Sequence, residues 1–244
     1  MANVTMLDLR EASTPENMTI HPSVITHEDG TLTLVDAGMP GMLPLIRAEF
    51  EAHRLRFTDV RRLVLTHGDL DHMGGAAALI EETNAAVLAH ERETPFINGE
   101  QVLRSPPRPE DIEKMPPELR EMLAKMTPER REMMNRRPDP VQVTRVLHDG
   151  EEVAPGVTVI ETPGHTPGHI SLFVAGDATI IAGDAASIHE GRIAPPPARM
   201  TPDMNRALAS VRALANLGAA RLIAYHGGET SEDVSGQLKA IGGE

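Results

Sequence analysis

The segment "THGDLDHMGG" places His67, Asp69, Asp71 and His72 within six positions, directly after "RRLVL", which ends in the apolar run Leu63-Val64-Leu65. That run reads as a short buried strand, and "MGGAAALIEETN" after it reads as a helix that ends near Asn84. The four side chains therefore leave a tight strand-to-helix loop and can converge on one point. Imidazole and carboxylate are the donors expected around zinc, iron or manganese, and one loop with four of them could feed two adjacent ions. Gly74 and Gly75 would let the following helix come close. The plainer reading is a solvated helix N-terminus, where aspartate is stabilised by the helix dipole and histidine is incidental. Such short patterns also arise by chance. Recurrence argues for the metal: "ETPGHTPGH", "IIAGDAAS" and "IAYHGG" put His165, Asp184 and His226 at further strand ends, so four separate loops each offer a hard or borderline donor.

The elements that must position these loops follow from hydrophobic spacing and turn residues. "TIHPSVITHEDGTLTLVDAG" predicts two strands around an Asp29-Gly30 turn, ending at an Asp-x-Gly corner. "MLPLIRAEFEAHR" has helical spacing and "AAVLAH" returns as a strand. Later, "VTVIETP", "HISLFVAG" and "ATIIAGD" predict strands separated by glycine-containing turns. "PDMNRALASVRALANLG" predicts a helix with Asp203 inside its first turn and Gly218 as its stop. "ARLIAYHGG" is the last predicted strand and "SEDVSGQLKAIGG" a short terminal helix. Strands come in runs before each helix, which suggests sheets packed together with helices outside. Residues 91–143 break the pattern: "SPPRPEDIEKMPPELREMLAKMTPERREMMNRRPDP" is rich in Pro, Arg, Glu and Met. Short helices are expected near Pro116-Pro117 and Thr127-Pro128, because proline is favoured in a first helical turn. This insertion is either a charged excursion or a lid, in which Met115, Met122, Met126, Met133 and Met134 offer an adaptable apolar surface.

Composition narrows the ligand. With a formal charge of −13 the chain lacks the basic footprint of a nucleic-acid or anionic-membrane surface, so a small-molecule substrate is expected. No cysteine is present, which leaves nitrogen and oxygen as the only metal donors. One tyrosine, four phenylalanines and no tryptophan make stacking recognition of bases or sugars a poor expectation. The start "MANVTMLDLREASTPEN" has no basic segment followed by an apolar stretch, and no run approaches a membrane span, so a cytoplasmic location is expected. The oligomeric state stays open, a homodimer included.

From the Asp36-Ala37-Gly38 corner to His226-Gly227-Gly228, outside the insertion, the chain resembles the metallo-β-lactamase superfamily in the identity and order of these motifs. The resemblance implies one domain over residues 1–244, of α/β class, built as a four-layer αββα sandwich with a dinuclear metal site along the sheet edges. Carried over position by position, it makes His67 and His165 ligands of a first metal, with Asp69 where the family usually has histidine. It makes Asp71, His72 and His226 ligands of a second, and Asp184 the carboxylate that bridges both. The cofactors implied are two divalent ions, zinc foremost. With a bridging hydroxide and carboxylates from Asp69, Asp71 and Asp184, two such ions sum to zero formal charge, which would suit a neutral substrate and shift preference toward manganese or iron.

The activity implied is hydrolysis of a small acyl substrate by metal-bound hydroxide, with Asp71 and Asp184 as catalytic residues. Within the superfamily the ligand set is closest to the lactonase and glyoxalase II-like branch. The glutathione-binding C-terminal helices of glyoxalase II have no counterpart here, which leaves a lactone or ester, for example an acyl-homoserine lactone, as the leading substrate. β-Lactamase activity and a non-catalytic di-iron sensing protein are the alternatives. Lactonases carry a tyrosine shortly after the bridging aspartate, where this chain has Ser187 and Ile188. Among the remaining histidines, His169 is either a support for the ligands or a satisfied core residue, His189 faces the pocket or a loop surface, and His21, His27, His53, His90 and His148 read as structural or exposed. Strand alternation predicts that Tyr225 points away from the metals and into the core.

Overall fold

The computed structural model describes residues 1–10, 19–101, 113, 117–125 and 137–243. The chain opens with β1 (Asn3–Met6), a two-residue ladder of β2 (Leu9–Arg10) and β3 (Thr19–Ile20), and the hairpin of β4 (Ser23–Thr26) and β5 (Leu32–Val35) around Asp29-Gly30. Helix α1 (Leu43–Ala52) leads to β6 (Val60–Val64), the one-turn α2 (Leu70–Met73), α3 (Ala76–Thr83) and β7 (Ala86–His90). After α4 (Thr94–Ile97) and α5 (Pro117–Lys125), β8 (Arg145–Leu147) completes a six-stranded sheet of order β1-β4-β5-β6-β7-β8. Strands β5 to β8 run parallel, so their carboxyl ends lie along one edge.

The second sheet is built from β9 (Glu152–Ala154), β10 (Val157–Glu161), β11 (Ile170–Val174) and β12 (Thr179–Ile181). A small ribbon of β13 (Ser187–His189) and β14 (Arg192–Ala194) and helix α6 (Met204–Ala215) follow, then β15 (Arg221–Ala224), β16 (Gly228–Thr230) and α7 (Val234–Gly242). Its order is β16-β15-β12-β11-β10-β9, with β12 and β15 parallel.

Three apolar layers hold the sandwich. Ile25, Val35, Val64 and Leu88 of the first sheet meet Val159, Leu172, Ile181 and Ile223 of the second. On the outer face of the first sheet, Leu34 and Leu63 pack on Ile46 and Phe50 of α1 and Leu79 of α3. On the outer face of the second, Ile180 and Leu222 pack on Val211 and Leu214 of α6 and Leu238 of α7. Consecutive residues of the central strands thus enter opposite cores: Leu63 faces helices, Val64 the other sheet. This is why those strands read as unbroken apolar runs. The expected αββα architecture is present, and no helix among the described residues is long and apolar enough to cross a membrane.

Several local expectations need correction. Asp203 is the N-cap of α6 and accepts a hydrogen bond from Arg206 N, one position before the first turn rather than inside it. The last long strand stops at Ala224, two residues short of His226. In the insertion, α5 begins at Pro117 as the Pro116-Pro117 pair predicts. The helix expected at Thr127-Pro128, the residues Met115, Met126, Met133 and Met134 and the side chain of Met122 lie outside the described residues, and the lid with them. The ends of the insertion are embedded: Ile97 and Val141 are buried, and Val141 N donates to Ile97 O at 3.0 Å.

Candidate metal centre

Every donor singled out by sequence reaches the same edge of the sandwich, and Asp36, which was not, lies there too. Asp36 follows β5; His67, Asp69, Asp71 and His72 follow β6; His165 lies between β10 and β11; Asp184 follows β12; His226 follows β15. The loop after β6 turns tightly because Gly75 lies against the Asp36-Ala37-Gly38 corner, where a side chain at that position would sit 2.2 Å from Ala37 O. Ala37 N donates to His72 O and Gly75 N to Gly38 O, which fixes the one-turn α2 on that corner.

Two groups of donor atoms result, each with its members within 4.8 Å of one another: His67, His165 and Asp184, and Asp71, His72 and His226. Asp184 stands between them. Its Oδ2 lies 3.4 Å from His165 Nε2, while its Oδ1 lies 3.3 Å from His72 Nε2 and 3.5 Å from His226 Nε2. Asp71 Oδ2 is 3.3 Å from His226 Nε2. Asp69 caps α2 by position, yet its side chain makes no capping bond and turns instead to the first group, with Oδ2 3.2 Å from His165 Nε2 and 3.5 Å from His67 Nε2. The solvated N-terminus is therefore not the arrangement adopted.

The surrounding hydrogen bonds fix which nitrogens face inward. Thr66 Oγ1 donates to Asp36 at 2.8 Å, so its 3.0 Å contact with His67 Nδ1 requires the imidazole to donate there. His72 Nδ1 donates to Asp36 Oδ2 at 2.8 Å. In both rings Nε2 is left facing the site, the orientation that a second hydrogen bond normally imposes on a metal-binding histidine. His67 Nε2, His72 Nε2 and Asp184 Oδ1 are buried and make no hydrogen bond, despite the nearby atoms of opposite charge. Buried polar atoms are rarely left so, and three of them aimed into one pocket of nitrogen and oxygen donors suit divalent cations.

Electrostatics agree. Burial opposes a charge on His72, but Asp184, Asp36 and Asp71 outweigh it and hold its pKa well above the usual imidazole value. Burial likewise opposes ionisation of Asp184, and His72 and His226 overcome it, so the carboxyl sits well below the usual range. The pocket draws in positive charge, which cations would supply in place of protons.

His169 is a support rather than a donor to the pocket. Asp184 N donates to its Nε2 at 2.9 Å, so its Nδ1 carries the proton and donates to Thr162 Oγ1 at 2.8 Å. Thr162 Oγ1 then meets Ser171 Oγ at 2.9 Å, which donates to Ala182 O. Burial, with His67 and His165 adding to it, keeps His169 neutral by pushing its pKa well below the ordinary value. His189 is exposed and Ser187 Oγ lies 3.3 Å from its Nε2. His21, His27 and His90 are buried, and His53 and His148 are exposed.

Tyr225 departs from expectation. Since β15 ends at Ala224, alternation does not govern it, and its ring stacks on His72 with centroids 3.8 Å apart. Its hydroxyl donates to Asp71 O at 2.5 Å. It is buried as core residues are, yet in contact with the site. Asp36 and Glu93 were not singled out by sequence. Asp36 carried one signal, its place in an Asp-x-Gly corner, where it adopts φ 62°. Glu93, in "HERETPF", carried none.

A family profile for the metallo-beta-lactamase superfamily matches residues 19–226. The probable metallo-hydrolase YflN of Bacillus subtilis is 29% identical over 211 residues, covering 82% of this chain and 76% of its own. The probable metallo-hydrolase YybB of the same organism is 24% identical over 220 residues, covering 90% and 86%. Among solved structures, a metallo-beta-lactamase family protein from Thermus thermophilus aligns over 98% of this chain and 78% of its own with a TM-score of 0.70 and 25% identity. By the profile, the fold and the order of its donors, the chain belongs to the metallo-beta-lactamase superfamily.

Proposed function

We propose that this chain is a hydrolase that holds two divalent cations and cleaves a small acyl substrate, a lactone or ester foremost. The observation that carries the reading is the placement of Asp184, with one carboxylate oxygen toward His165 and the other toward His72 and His226. One carboxylate between two donor groups is what a paired site needs. His67, His165, Asp184 and the adjacent Asp69 would hold one cation, and Asp71, His72, His226 and Asp184 the other. When bound, such a pair supplies a water activated at neutral pH and an electrophile for the acyl oxygen.

The chain's own groups do the rest. Asp36 and Thr66 keep the His72 and His67 rings in the tautomer that faces inward. His169 holds the Asp184 loop by its backbone. Asp71 is 27% exposed and His226 37%, whereas His67 and His165 are almost fully enclosed, so substrate approaches from the side of the second group. There Asp71, whose Oδ2 faces His226 Nε2, would help hold the second cation and orient the attacking water.

Asp69 supports the choice of substrate. A third carboxylate beside two divalent ions and a hydroxide leaves little net charge to attract an anion, which favours a neutral ring or ester. The same carboxylate favours harder ions, manganese or iron, over zinc at the first position. The test is a hydrolysis screen of lactones, esters, β-lactams and thioesters on protein reconstituted separately with zinc, manganese and iron. Turnover of lactones or esters in preference to the rest is expected. Preference for β-lactams would overturn the substrate, and inertness toward every acyl compound with two ions bound would overturn hydrolysis itself.

A further inference from the structure

We infer that Glu93 is a positioning residue that clamps together the two loops carrying the first cation's histidines, and so sets the affinity of that position separately from the second. The inference rests on the reading of the two donor groups as metal sites. Glu93 follows β7 and is completely buried. Its Oε2 accepts a hydrogen bond from Gly68 N at 3.0 Å, and its Oε1 accepts one from Gly168 N at 2.8 Å. Gly68 adjoins His67 and belongs to the first sheet's loop, while Gly168 lies three residues after His165 in a loop of the second sheet. One carboxylate thus spans the two halves of the sandwich directly behind the first donor group. Neither of these two hydrogen bonds goes to Asp71, His72 or His226.

The surroundings are shaped for this grip. The Glu93 backbone is pinned by its N–H to His90 O and by its carbonyl, which accepts from Phe96 N and Ile97 N. At Gly168 a Cβ would lie 2.8 Å from His90 Nδ1, 2.9 Å from Arg92 Cβ and 3.0 Å from Glu93 Cγ, so only glycine lets the His165 loop come this near. Both oxygens of Glu93 must accept, since both partners are backbone N–H groups. Glutamine has nearly the same shape but turns one acceptor into a donor facing a donor, which breaks one half of the clamp. Groups that hold ligands in place commonly change metal affinity about 10- to 100-fold when removed.

The test measures cobalt(II) binding to chelator-treated full-length protein by visible absorption and equilibrium dialysis. Two single-site backgrounds assign the positions: His226→Ala, which cripples the second group, and His165→Ala, which cripples the first. Glu93→Gln should weaken cobalt binding about 10- to 100-fold in the His226→Ala background and leave it within about 2-fold in the His165→Ala background. Gly168→Ala, which keeps the carboxylate but pushes the loops apart, should show the same selectivity and serves if Glu93→Gln does not fold. A merely structural role would lower thermal stability without selectivity, as a distant Leu238→Ala control should. Equal weakening in both backgrounds, or none in either, overturns the inference. Wild-type protein that binds no pair of cobalt ions overturns the metal reading itself, and this inference with it.

Discussion

The two donor groups differ in how they are supported and in how open they are. The first is enclosed: His67 is fully buried and His165 3% exposed, and the two come from loops of different sheets. The second is drawn mostly from one loop, joined by His226, and opens to solvent through Asp71 and His226. A carboxylate lies behind each, but they act on different atoms. Glu93 grips backbone behind the first group, whereas Asp36 takes a side-chain hydrogen bond directly from a donor of the second, His72 Nδ1, and reaches His67 only through Thr66. The closed group is thus fixed by where its loops sit and the open group by how its ring is turned. A paired site would gain from both, an enclosed position held rigidly and a neighbouring one that substrate can reach.

The largest effect should come from the residue the two groups share. Asp184→Asn replaces one charged oxygen by an amide and is expected to lower hydrolysis by about 1,000-fold or more, the scale at which preorganised electrostatic stabilisation is lost. Both positions should lose cation affinity together, with far-ultraviolet circular dichroism unchanged. Retained turnover would mean that Asp184 does not join them.

A smaller and unequal effect is expected of Asp36→Asn. It deprives His72 Nδ1 of its charged acceptor, so the second position should lose about 10- to 100-fold in affinity, while the first, reached only through the Thr66 hydroxyl that Asp36 also holds, should lose less. Competition with a chelating dye, read as two binding steps, checks this. Equal losses at both steps would erase the distinction drawn between the groups.

Smallest should be Tyr225→Phe, which keeps the ring stacked on His72 and removes only the hydroxyl that donates to Asp71 O. Loss of that buried bond is expected to cost about 1 kcal/mol of stability in urea unfolding. Affinity at the second position should fall only a few-fold, because the ring still holds His72. A loss as large as that of Asp36→Asn would make the hydroxyl, rather than the carboxylate, the support of this group.

Much of this architecture is written locally. The strand segments that enter the cores on both faces, such as "LVL" and "TIIA", announce themselves by apolar runs, and His67 and Asp184 stand just after them. Where the local pattern failed, the cause was local too. Tyr225 and His226 look like the continuation of "ARLIA", but β15 ends at Ala224 and the next residues turn toward the site. Alternation is a property of paired backbone, and nothing in so short an apolar run says where pairing stops.

The amino-acid sequence by itself determined the chemistry: nitrogen and oxygen donors without a thiol, four loops to carry them, and an excess of acid that argues against a polyanionic partner. Only the tertiary structure decided which donors lie together, that the two oxygens of Asp184 face different groups, that Asp69 leaves its helix terminus for the histidines, and that Glu93 holds two loops. Its two partners lie 25 and 75 positions away. A carboxylate in a polar stretch reads as solvated until packed sheets bury it. What it then bonds is decided by which backbone N–H groups packing leaves within reach, and no local periodicity records that.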